Sequence, residues 1–278
     1  MADVGNYWRR RTNMVETPPE RWRPPLLPNP AEGRWEQSLA RLRRFFDIQA
    51  GSAWRDLAAV LPDVRGRVLD VGSGAQPYRP LVHPDATYMA IDTEVAKSYF
   101  GYEAPDTRYF RGEVWPVEDA SIDFIICTET LEHVLDTKQF LGEASRSLRT
   151  GGTILLTVPF AARWHFIPYD YWRFTPSSMD HLLREAGFTG VRVYARGNSG
   201  TVACYKIMAL VLPLLATNNS SALLTWLMRI VGLCLTPALV FFAVLANVSL
   251  LGRGGNDCLG YTVIAYRASD KKHDQSAL

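Results

Sequence analysis

The sequence predicts an α/β fold, a parallel sheet with helices on both faces, plus an apolar helical insert between the last two strands. Three observations lead there. Four short apolar runs, "RVLDV" (67–71), "TYMAID" (87–92), "IDFIIC" (122–127) and "TILLTVP" (153–159), end in polar or turn-forming residues. Segments of helical period separate them, and strands that alternate with helices pair in parallel. A charge-free stretch, "IVGLCLTPALVFFAVLANVSLLG" (230–252), stands before the final strand-like run.

In chain order, residues 1–34 form a basic arm rich in Trp and Pro. Arg9, Arg10, Arg11, Arg21 and Arg23 interleave there with Trp8 and Trp22. Two roles fit it: a solvated tail, or a basic aromatic surface for anionic lipid headgroups. Residues 35–61 read as one or two helices, with Trp35, Leu39, Leu42, Phe45 and Phe46 spaced for one face. The strands follow within a domain spanning 35–202. "TLEHVLDTKQFLGEASRSLR" is the clearest helix, ending before Gly151 and Gly152. "SSMDHLLREAGF" leads into the strand "GVRVYAR" (190–196). Residues 203–252 are the insert, and residues 253–278 hold the last strand, "GYTVIAYRA" (260–268), and a polar tail.

The 278 residues, 47% hydrophobic, suffice for one large domain, and a net charge of +2 exerts no global pull on nucleic acid. Cys127, Cys204, Cys234 and Cys258 form no C-x-x-C pair and fit reduced thiols of a cytosolic protein. "MADVGNYWRRR" has no apolar core, so no secretory signal is expected.

"VLDVGSGAQPY" carries the first specific chemistry. A strand ends at Asp70, and Gly72 and Gly74 let the backbone turn tightly against a ligand. The third glycine of the dinucleotide fingerprint is absent, the turn running on through Gln76, and Pro77 suits the first turn of a following helix. The second strand ends in Asp92, placed to accept hydrogen bonds from ribose hydroxyls.

Together with "GEVWPVEDASIDFIICTETLEHVLD" and "RSLRTGGTILLTVPF", this turn resembles the class I S-adenosylmethionine-dependent methyltransferases, type 11 in particular. The resemblance covers roughly residues 67–188 and implies a Rossmann-like sheet, S-adenosylmethionine as cofactor and methyl transfer as the activity. By it, Asp70, Gly72, Ser73 and Gly74 would border the methionine portion and Asp92 would hold the ribose. Glu113, with the backbone of Val114, would meet the adenine, and Thr128 would sit beside the sulfonium. DNA amino-methyltransferases carry an N/D-P-P-Y-type turn where this chain has "CTETLEH", so no nucleic-acid partner is expected.

An oxygen acceptor needs a base for its proton. In "ETLEH", Glu129, Glu132 and His133 share one face of the expected helix and suit a divalent cation; helix-start packing is the other role they fit. "RWHFIPYDYWRFT" resembles a string found after this strand in a type 11 subgroup. It offers His165 as base, Asp170 and Arg173 to fix polar groups, and Tyr169, Tyr171 and Trp172 to enclose a substrate.

The insert is far longer than an ordinary connection. Both its ends return to one sheet, so a single membrane crossing is excluded. Arg229 and Arg253 bracket the longer apolar segment as interfacial anchors do. The expectation is therefore monotopic attachment to the cytoplasmic face of a membrane, and O-methylation of a lipid-like or lipid-linked acceptor. Two alternatives stand beside it: a soluble quinone- or sugar-type methyltransferase whose insert is a lid or dimer interface, and a non-catalytic membrane scaffold.

Overall fold

The computed structural model describes Met14 and residues 33–101, 103–215 and 221–268. The rest of residues 1–32, with the arm's arginines and tryptophans, and the tail beyond residue 268 lie outside the described residues.

Two helices open the described chain, α1 (Arg34–Phe46) and α2 (Ile48–Ala58), separated at Asp47, whose carboxylate caps α2 through Ala50 N at 3.1 Å. The sheet begins with β1 (Arg67–Val71) and β2 (Thr87–Thr93), followed by α3 (Glu94–Phe100) and β3 (Thr107–Phe110). Next come β4 (Ile122–Thr128), α4 (Thr137–Ser147), β5 (Leu148–Pro159), α5 (Pro176–Glu185) and β6 (Phe188–Arg196). The insert supplies α6 (Ser199–Leu215), α7 (Ala222–Cys234) and α8 (Thr236–Ser249) before β7 (Gly260–Arg267).

The seven strands lie in the order β3-β2-β1-β4-β5-β7-β6, with β7 alone antiparallel to its neighbours. Connections run one way from β1 and the other way from β4. Their carboxyl ends therefore flank a crevice at the point where the winding reverses. Alternation along the strands fills two layers. Leu69, Ile125 and Leu156 pack on Leu141 and Ala144 of α4 and on Met179 and Leu183 of α5. Val68, Phe124, Ile126 and Leu155 pack on Ala53 and Leu57 of α2. The predicted α/β sheet with helices on both faces is thus present.

Three local expectations are corrected. Pro77 opens no α-helix; β1 reaches β2 through turns and one 3-10 turn at Arg79–Leu81. Pro77, Pro80 and Pro84 remove amide donors too often for a helix to propagate. The helix expected from Thr130 to Arg149 is broken: Leu131–His133 form a 3-10 turn, and α4 starts only where Asp136 accepts from Gln139 N at 2.9 Å. The stripe on α1 is half used. Phe45 and Phe46 pack beneath it, whereas Trp35, Leu39 and Leu42 stay exposed because neighbouring helices reach only its last turns.

The insert lies on the domain rather than hanging from it. Cys204, Met208 and Val211 of α6 and Leu239, Ala243 and Ala246 of α8 form one buried cluster with Ile48 and Leu259. In contrast, α7 buries only Gly232, where a β-carbon would come within 3.0 Å of Leu214 and Leu215. Among the described residues no single helix is long and apolar enough to cross a membrane; α7 and α8 pass that test only as a pair, bent by 50°.

Candidate functional site

The crevice opens into a cavity of about 1430 Å³, larger than the ~300–1,000 Å³ usual for one small ligand. Its floor is the turn after β1. Gly72 has φ 68°, and a β-carbon there would lie 2.3 Å from the Thr130 side chain, so both backbone conformation and space require glycine. Gly74, at φ 50°, has open space where a side chain would stand. Asp92 closes the turn from the neighbouring strand: Oδ2 accepts from Gly74 N at 2.9 Å and Oδ1 from Thr93 N at 2.7 Å. Burial raises the Asp92 carboxyl against these two hydrogen bonds.

Gln76 occupies left-handed backbone, φ 55°, two residues beyond Gly74. Its side chain holds it there, donating to Pro105 O and to Thr107 Oγ1 at 2.8 Å while accepting from Arg79 at 2.9 Å. Three polar contacts offset a conformation that costs roughly 1–2 kcal/mol for a non-glycine residue. Ser73 Oγ is buried beside the turn without a hydrogen-bond partner, a polar atom left for a ligand.

Also in the cavity wall, "RWHFIPYDYWRFT" folds into a loop pinned by Asp170. That carboxylate, with no exposed side-chain surface, accepts from Arg173 Nη1 and Nη2 at 2.5 and 2.7 Å and from His165 N at 3.0 Å. Burial works to raise it, but the hydrogen bonds from Arg173 and His165 prevail and hold it well below the usual carboxylate range. His165 Nδ1 faces two acceptors, Asp170 Oδ2 at 3.0 Å and Arg163 O at 3.0 Å. In the neutral ring the proton therefore belongs on Nδ1, which leaves the lone pair on Nε2. The His133 ring stands 5.0 Å away with its Nδ1 on Tyr169 O at 2.9 Å. Burial, then the neighbouring His165, lowers His133 to about 4, so it is neutral.

The residues assigned by sequence converge unevenly. Gly72, Ser73, Gly74, Asp92, Glu113 and Thr128 all line the cavity, as do His165 and Tyr169. Asp70 does not: it is buried within β1, accepting from Tyr88 Oη of β2 at 2.6 Å, so it supports the turn from the strand that leads into it. The Val114 side chain points outward, 67% exposed, leaving only its backbone for the adenine role. Tyr171 and Trp172 stay outside the cavity wall, Trp172 donating to Val134 O at 2.9 Å. The Glu129, Glu132, His133 set is divided. Glu129, at φ 47°, turns away and accepts from Arg196 Nη2 at 2.6 Å. Its place beside Glu132 and His133 is taken by His165, a pairing of distant segments that spacing within "ETLEH" does not encode.

The family described as "Methyltransferase domain" matches residues 43–193, more than half of the chain. The chain belongs to this methyltransferase family. Among curated proteins, a probable S-adenosylmethionine-dependent methyltransferase of Mycolicibacterium smegmatis is 29% identical over 93 residues, 31% of this chain. The match spans 36% of that relative's length. Similar solved structures include an S-adenosylmethionine-dependent methyltransferase from Archaeoglobus fulgidus: TM-score 0.49, 16% identity, 84% of this chain and 100% of that one. A phosphoethanolamine N-methyltransferase of Haemonchus contortus bound to S-adenosyl-L-methionine gives 0.45 and 14%, covering 78% and 53%.

Proposed function

We propose that this methyltransferase uses S-adenosylmethionine to methylate an oxygen of a lipid-like or lipid-linked acceptor at the cytoplasmic face of a membrane. The residues present fit that donor: the glycine turn has open space, Ser73 Oγ lacks a partner, and each Asp92 oxygen keeps a lone pair for a ribose hydroxyl. When bound, the donor supplies a methyl group on a sulfonium, which is displaced in line.

The chain's own contribution is alignment and a place for the acceptor's proton. Thr128 and the Gly72–Gly74 turn border the cavity, and His165, fixed by Asp170, presents its Nε2 lone pair from the same cavity's wall. Phe166 and Tyr169, with ring centres 5.6 Å apart and planes inclined by 49°, help close that part of the wall against water.

One observation carries the lipid reading. The cavity runs from the cofactor turn to Leu39, Ala40 and Arg43 of α1, a helix whose last turn packs with α8 through Phe45 and Phe46. An acceptor with an apolar tail can thus lie along α1, and the exposed apolar residues of α7 and α8 supply a surface for lipid. The basic arm adds attraction to anionic headgroups.

The deciding experiment is to incubate purified protein with vesicles of cellular lipid extract and methyl-labelled donor. Label in the organic phase is expected; label confined to water-soluble products would overturn the lipid acceptor. In the same assay, His165→Ala should lower turnover by about 10²–10⁴ while S-adenosylhomocysteine affinity stays unchanged.

A further inference from the structure

We propose that Glu132, His133 and His165 form a site for one Zn²⁺-type divalent ion, with a coordination position open to the cavity. One donor atom from each lies within 4.8 Å of the others. Glu132 has no exposed surface, and neither of its carboxylate oxygens has a hydrogen-bond partner. His133 Nε2, the nearest basic atom paired with it, is 3.6 Å from Oε1, too long for a hydrogen bond. Arg173, the nearby cation, is committed to Asp170 and to the carbonyls of Trp172 and Arg163. A buried carboxylate without a partner is strongly unfavourable unless a proton or a cation joins it, and the two imidazoles within 4.8 Å make a cation's ligand set complete.

The imidazoles are arranged as ligands. Each has Nδ1 on an oxygen acceptor, Tyr169 O for His133, Arg163 O and the Asp170 carboxylate for His165. Carbonyl or carboxylate partners on the far nitrogen are what orient metal-binding histidines and leave Nε2 for the ion. Both rings line the cavity while Glu132 lies behind them, so the remaining coordination position faces the substrate space. Two imidazoles and one carboxylate select Zn²⁺ over Mg²⁺, which prefers oxygen donors and retained water.

The ion's role, though not the site itself, rests on the methyl-transfer reading. An acceptor hydroxyl in the open position becomes a stronger acid and releases its proton to cavity water. The His165 lone pair then serves as ligand in place of proton acceptor.

The test is calorimetric titration of chelator-stripped full-length protein with Zn²⁺ and, separately, Mg²⁺. S-adenosylhomocysteine binding is measured on each preparation. One Zn²⁺ per chain is expected, with Mg²⁺ at least about 100-fold weaker. Affinity for Zn²⁺ should fall by about 100-fold or more in Glu132→Gln and in His165→Ala, and by about 10–100-fold in Asp170→Asn. Glu129→Gln should leave it unchanged. Glu132→Gln keeps the side-chain shape, and retained S-adenosylhomocysteine binding reports that each variant is folded. Wild-type protein that binds S-adenosylhomocysteine but no Zn²⁺ would overturn the site. So would equal Zn²⁺ affinity in Glu132→Gln. Zn²⁺ binding without S-adenosylhomocysteine binding would support the site and remove the donor reading instead.

Discussion

Helices α4 and α7 are of similar length, 11 and 13 residues, yet they meet their surroundings in opposite ways. In α4 the apolar Leu141 and Ala144 are fully buried, and Lys138, Glu143 and Arg146 stand on the other side in ion pairs. In α7 the exposed residues are themselves the large apolar ones: Leu223, Trp226, Leu227, Val231 and Leu233. The first pattern is what a sheet requires of a covering helix. The second leaves a contiguous apolar face larger than scattered surface leucines produce. Apolar composition alone therefore does not identify core; which side is covered does.

The largest expected effect separates these two helices directly. Trp226→Ser, Leu227→Ser and Leu233→Ser together remove about 1.5–3 kcal/mol of apolar transfer each. Partitioning onto lipid vesicles, read by co-sedimentation, should drop by at least about 10³-fold, with S-adenosylhomocysteine binding intact. If the triple variant instead turns a dimer into a monomer in sedimentation velocity, that face is a subunit interface. On α4, Leu141→Ala should cost about 2–5 kcal/mol in denaturant unfolding and leave vesicle partitioning unchanged. Equal losses of stability in the two variants would erase the distinction. Within the cavity, Asp92→Ala should weaken S-adenosylhomocysteine by on the order of 1–3 kcal/mol by calorimetry.

The smallest effect concerns Asp70. Burial raises its carboxyl to about 7, against the hydrogen bond from Tyr88. The folded value thus lies above the unfolded value of about 3.9. Such a group stabilises the fold in acid, and the contribution is lost as pH rises from about 4 through 7. Asp70→Asn should therefore narrow the gap between melting temperatures measured at about pH 5 and about pH 8.

What could be read from the sequence was whatever is decided within a few residues. The glycine turn and Asp92 are local in this sense: glycine spacing sets the turn and the strand length sets the acid. The strand β3, "TRYF", is too short to show alternation and goes unread. "ETLEH" has helical spacing, but Asp136 offers a better cap, and a capping preference won over periodicity. The Glu129–Arg196 pair joins residues 67 apart, which no window along the chain captures. The insert was recognisable by composition, while its division into buried α6 and α8 and bare α7 depends on Ile48 and Leu259, supplied by other elements.

The position of β7 between β5 and β6 has a consequence for the order of events during synthesis. The edge of β5 that faces β7 finds its partner only after about 100 further residues, α5, β6 and the whole insert included, have been made. At about 5–20 residues per second, that interval lasts roughly 5–20 s. Throughout it an apolar strand edge and three apolar helices are exposed on an unfinished domain. Nascent chains are thus most vulnerable to aggregation in this interval, and β7 ends it by pairing with both neighbours at once.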